Sequence, residues 1–324
     1  MQVEATAPAA SSGKWMALLA ALLGWMFDGL EIGMFPLIGP SALDELLADQ
    51  IALNPMVKSE WFGVIMSMFL IGAATGGVFF GWLGDRFGRV RAMSLSIFTY
   101  AVFTGLCGFA TAAWQIAVLR FIASIGMGGE WALGVALVTE LWPDRSRAFL
   151  AGLIGAAANV GMLLVGLLSL VLVTFMQTCG AVLLYVGISE RHVSSLLAGD
   201  GWRLLMIIGA APALLIFFIR LFVPESHRWQ AQRNKGETSH WATKDLVGVL
   251  IGAIGAIGVV VLWSPVFEQL VAPAQNRNGL LEWTRLVGVA RLAGTALGLV
   301  LALVGYLYPV VQYCPASVGT GILR

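Results

Sequence analysis

Four charged residues lie inside long apolar stretches of this sequence. Asp28 and Glu31 fall in the first stretch, and Arg120 and Glu130 fall in the fourth. A charge at membrane depth costs at least about 2.5–3.5 kcal/mol on insertion scales, so such residues usually pair or face a water-filled path. Carboxyl groups near a guanidinium group can bind and release protons, and the guanidinium group can hold an organic anion. We therefore predict that these residues form the functional site.

Helix geometry places Asp28 and Arg120 at a similar depth. Asp28 lies roughly 21 Å beyond Lys14, and Arg120 lies about 9 Å from Trp114, where the antiparallel fourth helix starts. The sequence therefore predicts an Asp28–Arg120 ion pair. The pair is either a static salt bridge between two helices or a switch, in which protonation of Asp28 releases Arg120 to hold an anionic substrate.

The sequence leaves more than one role open for each of the other two carboxyl groups. Glu31 lies about 60° round the helix from Asp28, on the same face, as a second proton or substrate site or as an interfacial residue. Glu130 stands about 15 Å from Arg120 along the fourth helix, too far for direct contact. An unpaired carboxyl group at that depth needs a proton or a partner. The glycines at 126, 128 and 129 predict close packing of a neighbouring helix.

The elements that position these residues are membrane-spanning helices. Hydrophobic residues make up 59% of the 324 residues, charged residues 11%, and the mean hydropathy is +0.86. A soluble domain carries roughly 25% charged residues. A spanning helix needs about 20 apolar residues, and the sequence contains eight such stretches: 15–38, 61–83, 92–112, 114–139, 148–173, 202–223, 246–264 and 292–310. The apolar stretch 174–188 either extends the fifth helix or forms a hairpin.

Other function classes find little support in the sequence. The first stretch is too long and too charged for a signal peptide. Cys107, Cys179 and Cys314 give neither a disulfide framework nor metal-ligand spacing. No zinc-protease, serine-hydrolase or paired-aspartate motif occurs in an apolar stretch. We therefore expect no enzyme activity, no metal and no cofactor, and a net charge of +1 gives no reason to expect a nucleic-acid partner.

The distribution of Lys and Arg predicts the orientation of the chain. With the N-terminus inside, the cytoplasmic segments hold twelve of these residues and the outer segments hold six. Cytoplasmic loops carry an excess of Lys and Arg in membrane proteins. Short loops without a targeting segment favour a bacterial inner membrane, so the expected localisation is the cell (inner) membrane with a cytoplasmic N-terminus.

Residues 81–91 lie in the short gap between the second and third apolar stretches and read Gly-Trp-Leu-Gly-Asp-Arg-Phe-Gly-Arg-Val-Arg. Two helices joined on the cytoplasmic side need a tight hairpin with cationic anchors, and this segment supplies both. Its pattern, G-x-L-[GA]-D-R-x-G-R-x-[RK], resembles the signature of the major facilitator superfamily between the second and third transmembrane helices.

Further motifs over residues 14–229 carry the same resemblance. The segment 120–130 is similar to the fourth-helix R-x-x-x-G-x-G-x-G-G pattern, with Ser124 in place of its first glycine. The segment 140–148 is similar to the E-x-x-P-x-x-x-R-[GA] that follows it, and 202–229 to the WR…PES-x-RW run. Trp25 to Gly29 resembles the D-G element of metabolite:H+ symporters for organic acids, aromatic acids and sialic acid.

The resemblance implies an all-α polytopic transmembrane bundle of two six-helix halves around a cavity that opens alternately to each side. It also implies a cytoplasmic gating motif that latches helix ends when the cavity faces outward. Exposed ion pairs contribute only ~0–1 kcal/mol each, which suits a latch that opens. The residues that match this motif are Gly81, Gly84, Asp85, Arg86, Gly88, Arg89, Glu140, Arg147, Glu225 and Arg228.

The chain holds one such half and about two further helices. The expected division is a cytoplasmic tail (1–13), the six-helix half (14–229), a cytoplasmic linker (230–245), two additional helices (246–310) and a C-terminal tail (311–324). The region 246–310 lacks a second copy of the motif at residues 81–91 and resembles the two-helix insertion of sialic acid symporters. The chain is therefore expected to be truncated, with the C-terminal half missing, and to transport alone only by pairing with another chain or by self-association. Small residues such as Gly248, Gly252, Gly255 and Gly258 allow tight helix packing.

Function follows from the site and the resemblance together. The first hypothesis is secondary active transport of a small organic anion with protons, with Asp28 as the proton site and Arg120 as its partner and anion ligand. Glu31 and Glu130 would be accessory, and the substrate could instead be a sugar. The alternative is a non-transporting half-transporter that acts as a sensor or scaffold, or a half that needs a partner chain.

Overall fold

The computed structural model describes residues 11–223, 225, 227–234, 243–275 and 280–313. Over these residues, eight helical segments are long and apolar enough to cross a membrane. The predicted all-α polytopic bundle is therefore confirmed. The helices are α1 Ser11–Leu46, α2 Ala48–Leu53, α3 Met56–Phe87, α4 Arg89–Cys107, α5 Ala113–Leu141, α6 Asp144–Tyr185, α7 Glu190–Ile208, α8 Ala213–Phe222, α9 His227–Asn234, α10 Thr243–Leu262, α11 Pro265–Gln275 and α12 Leu280–Tyr313.

α1, α3 and α6 are longer than the apolar stretches that predicted them. α1 continues through Pro36 and Pro40 to Leu46, and α3 begins at Met56, so little irregular chain remains between them. α6 runs without interruption to Tyr185. The stretch 174–188 therefore extends the fifth predicted helix rather than forming a hairpin.

The turn between α3 and α4 consists of a single residue, Gly88. Its φ of 108° lies in the region that side chains rarely adopt, so glycine is required here. α3 ends at Phe87 and α4 begins at Arg89, so the predicted hairpin is present and tighter than the hydropathy pattern suggested. We call the end of the bundle that carries this turn the Gly88 end, and the opposite end, which carries Glu45 and Arg203, the Glu45 end.

α5 packs against α1, α3, α4 and α6, and it therefore carries its side chains into the middle of the bundle. Its glycines make close packing with α3 and α4 sterically feasible. A Cβ atom at Gly128 would collide with the backbone of Ala73, and one at Gly126 would meet the backbone near Tyr100. The predicted packing role of the glycines at 126, 128 and 129 is confirmed.

The sixth predicted stretch, 202–223, is divided between two helices, the C-terminal part of α7 and α8. A kink in α7 precedes the stretch, and residues 209–212 separate the two helices. α7 is kinked at 198–201, where Gly199, Asp200 and Gly201 have positive φ values of 56°, 59° and 71°. Pro212 then precedes α8. The kink turns the chain at the Glu45 end so that Trp202 and Arg203 start the membrane-crossing part of this element.

α10 and α12 pack against each other, and α10 also contacts α3. Gly252 and Gly255 lie against Gly298, Ala302 and Gly305 of α12, at distances that a side chain on either glycine would disturb. The Thr75 hydroxyl of α3 and the Tyr306 hydroxyl of α12 lie 2.8 Å apart and share a hydrogen bond. The predicted tight packing through small residues therefore occurs within the chain, between its own helices.

Candidate functional site

The centre of the bundle contains a buried ion pair between Arg120 of α5 and Glu31 of α1. Arg120 Nη1 lies 3.4 Å from Glu31 Oε1, and the Thr104 hydroxyl donates a 2.8 Å hydrogen bond to the same oxygen. The Arg120 guanidinium group also lies over the rings of Phe35 (4.4 Å) and Phe69 (4.8 Å). Two aromatic faces thus hold the cation in place while a carboxylate neutralises it.

The predicted Asp28–Arg120 ion pair is wrong: Arg120 pairs with Glu31. Asp28 is fully buried on α1, and neither of its carboxyl oxygens has a hydrogen-bond partner among the described residues. Glu31 follows Asp28 by three residues and reaches both the Thr104 hydroxyl and the Arg120 guanidinium group. The sequence placed both carboxyl groups on the correct face but assigned the cation to the wrong one.

Glu130 joins the same cluster from the next turns of α5. Its carboxyl group lies directly against the α1 backbone at Gly24, where a Cβ atom would collide with it. Asp28 lies within electrostatic range of both Glu130 and Glu31. Tyr100, on α4, is fully buried and lines the same cavity as Glu31. The structure therefore brings together all four residues that the sequence singled out, and it adds Tyr100 and Thr104.

A cavity of about 140 Å³ lies beside Glu31, between α1, α4, α6 and α7. Its walls are apolar apart from Glu31 and Tyr100. Glu31 Oε2 and the Tyr100 hydroxyl both lack a hydrogen-bond partner among the described residues. Because a water molecule takes about 30 Å³ of liquid volume, the space admits a few waters or a small ligand group next to these two atoms.

Charged residues of the cytoplasmic gating motif form an ion-pair network at the Gly88 end. Arg89 Nη2 lies 2.8 Å from Asp85 Oδ1, and Arg89 Nε lies 3.1 Å from Glu140 Oε1. The network therefore joins the end of α3, the start of α4 and the end of α5. The Arg86 guanidinium group lies 4.3 Å from the Trp82 ring, and Arg147 Nε donates a 3.4 Å hydrogen bond to the Trp142 carbonyl.

Glu225 binds the first turn of α4 in the same region. Its Oε1 accepts a 3.1 Å hydrogen bond from the Val90 backbone N–H, where a helix favours negative charge. Trp229 donates a 2.7 Å hydrogen bond to the Asp85 carbonyl. Gly88 leaves the space that the Glu225 carboxyl group occupies, whereas Gly81 faces open space. The side chain of Arg228 lies outside the described residues.

The Glu45 end has an ion-pair network that the sequence reasoning missed. Arg203 Nη2 lies 2.7 Å from Glu45 Oε1, and Trp202 Nε1 donates a 2.8 Å hydrogen bond to Glu45 Oε2. Arg203 also donates to the carbonyls of Gly108 and Ala110, at 3.2 and 2.8 Å. The Trp202-Arg203 pair was visible in the sequence, but its partner on α1 was not. No group of His, Cys, Asp and Glu able to hold a metal ion occurs among the described residues.

The fold and its motif residues agree with a known family. A model of the sugar (and other) transporter family matches residues 16–256, which is most of the chain. The chain belongs to this family. It is thus a member of the major facilitator superfamily, as the motifs at 81–91 and 120–130 indicated. Members and relatives of the family are transporters.

Three curated relatives show how far the similarity extends. A putative metabolite transport protein of Haemophilus influenzae is 35% identical over 215 residues, which are 66% of this chain and 45% of that protein. The niacin transporter NiaP of Acinetobacter baylyi is 29% identical over 271 residues, 82% of this chain and 54% of that protein. The sialic acid transporter NanX of Escherichia coli is 29% identical over 224 residues, 69% and 47% respectively. The chain spans about half the length of the curated relatives it matches.

Solved structures agree on the fold. A bacterial homologue of the human lysosomal transporter Spinster, inward-facing and occupied, matches with a TM-score of 0.54 at 17% identity over 92% of this chain and 80% of that chain. The xylose transporter XylE from E. coli, partially occluded and inward open, matches with a TM-score of 0.51 at 20% identity over 93% of this chain and 84% of that chain. At these identities the likeness shows the fold alone.

Proposed function

We propose that this chain forms part of a secondary active transporter that moves a small organic anion together with protons. The observation that carries the proposal is the buried Arg120, whose ion partner is a carboxyl group able to take up a proton. Arg120 Nε has no hydrogen-bond acceptor among the described residues, so the cation retains donor capacity for a ligand. Among relatives, the transporters named for niacin, sialic acid, cis,cis-muconate and 4-hydroxybenzoate share one chemistry, because each compound carries a carboxyl group.

The mechanism is an exchange of counter-ions at Arg120. Protonation of Glu31 removes the negative charge that neutralises the guanidinium group, and the carboxylate of the substrate then takes its place. Phe35 and Phe69 keep the guanidinium group in position during the exchange, since their contacts do not depend on Glu31. Release of the substrate and loss of the proton on the other side restore the pair. Asp28 serves as a second proton site beside it.

Uptake of carboxylic acids tests this proposal. The protein, in its full reading frame, is reconstituted in liposomes, and uptake of labelled nicotinate and 4-hydroxybenzoate is measured with an acidic outer solution. We expect gradient-driven uptake that a protonophore abolishes. Arg120→Lys lowers uptake by about 10-fold or more, because a hydrogen bond to a charged group contributes ~1.5–3 kcal/mol. Arg191→Lys, at an exposed position of α7, is the matched control.

The outcomes separate the alternatives. In Glu31→Gln and Asp28→Asn, uptake loses its dependence on the pH gradient if these carboxyl groups carry the coupling protons. Uptake of D-xylose without uptake of either acid would replace the organic anion by a sugar. A wild-type protein that takes up neither class of compound would contradict transport and favour a sensor or scaffold.

The proposed location is the bacterial inner membrane, with the N-terminus and the Gly88 end in the cytoplasm. The excess of Lys and Arg on that side supports this orientation. Single-cysteine labelling in intact cells tests it, in a background without the native cysteines. A membrane-impermeant maleimide is expected to label Gly187→Cys, between α6 and α7, and to leave Asn234→Cys, at the end of α9, unlabelled. The reverse pattern would invert the topology.

The network at the Gly88 end serves as a latch in this cycle. Arg89 joins three helix ends through Asp85 and Glu140, and Glu225 holds the first turn of α4. The side chains of Asp85, Arg89 and Glu140 are 6%, 13% and 20% exposed, so opening the latch costs more than breaking a fully exposed ion pair. Glu140→Gln removes one carboxylate from Arg89, so we expect faster backbone hydrogen exchange at the end of α5. Unchanged exchange there would show that the network does not restrain this helix end.

A further inference from the structure

The carboxyl groups of Asp28 and Glu130 meet on one face of α1. Glu130 reaches across from α5 and lies against Gly24, because this position has no side chain to exclude it. Asp28 follows Gly24 by four residues, which is about one helical turn, so both positions share a face. Two ionised carboxyl groups on this face of the helix would repel each other. Gly24 is therefore the position that makes room for the pair.

Neither carboxyl group has a partner that would stabilise a negative charge. All four oxygens, two on Asp28 and two on Glu130, are buried and without a hydrogen-bond partner among the described residues. Arg120 is the one buried basic side chain in the part of the chain whose side chains are described, and its ion partner is Glu31. An ionised carboxylate buried without a partner costs several kcal/mol, and two like charges together cost more.

The surrounding helices add hydroxyl groups and no further basic side chain that is described near the pair. α4 contributes the Tyr100 hydroxyl, which is buried and without a hydrogen-bond partner, and Thr104, which serves Glu31. α6 packs on this part of α1 through Ala158, and its Asp and Arg residues lie in its first turn, 144–147. The charged residues of α3 and α7 lie near helix ends or at the α7 kink, and α8 carries Arg220, whose side chain lies outside the described residues.

We infer that Asp28 and Glu130 form a carboxyl pair that holds two protons in this conformation, which makes Glu130 a further proton site beside Glu31 and Asp28. The cluster contains three carboxyl groups and one guanidinium group, and two bound protons make its net charge zero. Each proton comes from water and bonds to one carboxyl oxygen, and each returns to water when the cluster opens. This inference rests on the proposed proton-coupled transport and deepens it, since it adds Glu130 to Glu31 and Asp28 as a group that binds and releases a proton in the cycle.

Infrared spectroscopy tests the pair without any transport. The purified chain in lipid nanodiscs is titrated with alkali, and the absorption of protonated carboxyl groups is followed. We expect this absorption to persist at neutral pH, Asp28→Asn and Glu130→Gln each to remove about half of it, and the double variant to remove it. Glu45→Gln, which alters a carboxylate that is paired with Arg203, leaves it unchanged. Absorption that is the same in Glu130→Gln as in the wild type would overturn the inference.

A second variant guards against misfolding of these replacements. Gly24→Ala keeps both carboxyl groups and displaces only the Glu130 carboxyl group from α1, so the frequency of the absorption shifts while its total intensity remains. An unshifted absorption would contradict the contact between Glu130 and α1. In liposomes, reversal potentials are expected to give one proton fewer for each substrate molecule in Glu130→Gln than in the wild type. An unchanged stoichiometry in Glu130→Gln overturns the pair alone, whereas a wild type without uptake overturns the proposed function.

Discussion

Replacing Glu31 by glutamine is expected to leave the Arg120 charge buried without compensation. The glutamine carbonyl can still accept the hydrogen bonds from Thr104 and Arg120, so the change removes the negative charge and little else. Breaking a buried ion pair in this way costs about 3–5 kcal/mol. Arg120 is 1% exposed, so water does not relieve the cost.

Adding Arg120→Met to this variant is expected to restore stability, because the uncompensated charge is then gone. The methionine forfeits the contacts with Phe35 and Phe69, which are worth ~0.5–1 kcal/mol each. The double variant is therefore more stable than Glu31→Gln alone by about 1–4 kcal/mol. The direction of this change makes the prediction specific, because a second substitution in the core ordinarily lowers the free energy of unfolding further.

The free energy of unfolding, measured by titrating mixed micelles with a denaturing detergent, checks the prediction. The exposed pair between Lys58 and Asp44 is the control, with side chains 33% and 56% exposed. Asp44→Asn there costs only ~0–1 kcal/mol, and a second replacement at Lys58 gives no rescue. A double variant at Glu31 and Arg120 that is less stable than Glu31→Gln alone would refute the charge argument.

Four further changes test the packing and the ends of the bundle by the same measurement or by hydrogen exchange. Gly128→Ala forces a Cβ atom onto the α3 backbone and is expected to cost about 1–3 kcal/mol. Gly152→Ala, where nothing lies within 4 Å, is neutral or slightly stabilising. Glu225→Gln weakens the charged cap of α4 by about 0.3–1 kcal/mol and speeds amide exchange in its first turn. Tyr306→Phe removes the hydrogen bond to α3 and speeds exchange in α12, whereas unchanged exchange would show that this bond does not hold α12 in place.

The membrane helices could be predicted from hydropathy, but their ends could not. α1 continues to Leu46 through Asp44 and Glu45, which a hydropathy window reads as a loop. Those residues stay helical because their side chains have partners: Glu45 accepts from Trp202, and Asp44 pairs with Lys58. Trp202 lies far from Glu45 in the sequence, so the local composition around Glu45 cannot predict this contact.

The depths that were estimated from the helix rise were not precise enough to identify the ion partner of Arg120. Asp28 and Glu31 differ by about 4.5 Å in rise and about 60° in direction, less than the uncertainty left by helix tilt and unknown helix starts. A third helix favours Glu31 as the partner, because Thr104 of α4 donates a hydrogen bond to the Glu31 carboxyl group. A pairing argument based on two helices cannot include that contribution, which is why the residues were found and their pairing was not.

Polar contacts are unevenly distributed along the bundle, and this contrast bears on function. At the Gly88 end and the Glu45 end, the arginines Arg89 and Arg203 each bind two or more acceptors. In the middle of the bundle, three carboxyl groups occur with one guanidinium group, which pairs with Glu31. Several of the carboxyl oxygens have no partner among the described residues. Stability alone favours apolar side chains at such positions. Carboxyl groups that bind protons while they are buried and lose them when the cluster opens to water are suited to a carrier, because the two states then differ in their affinity for protons.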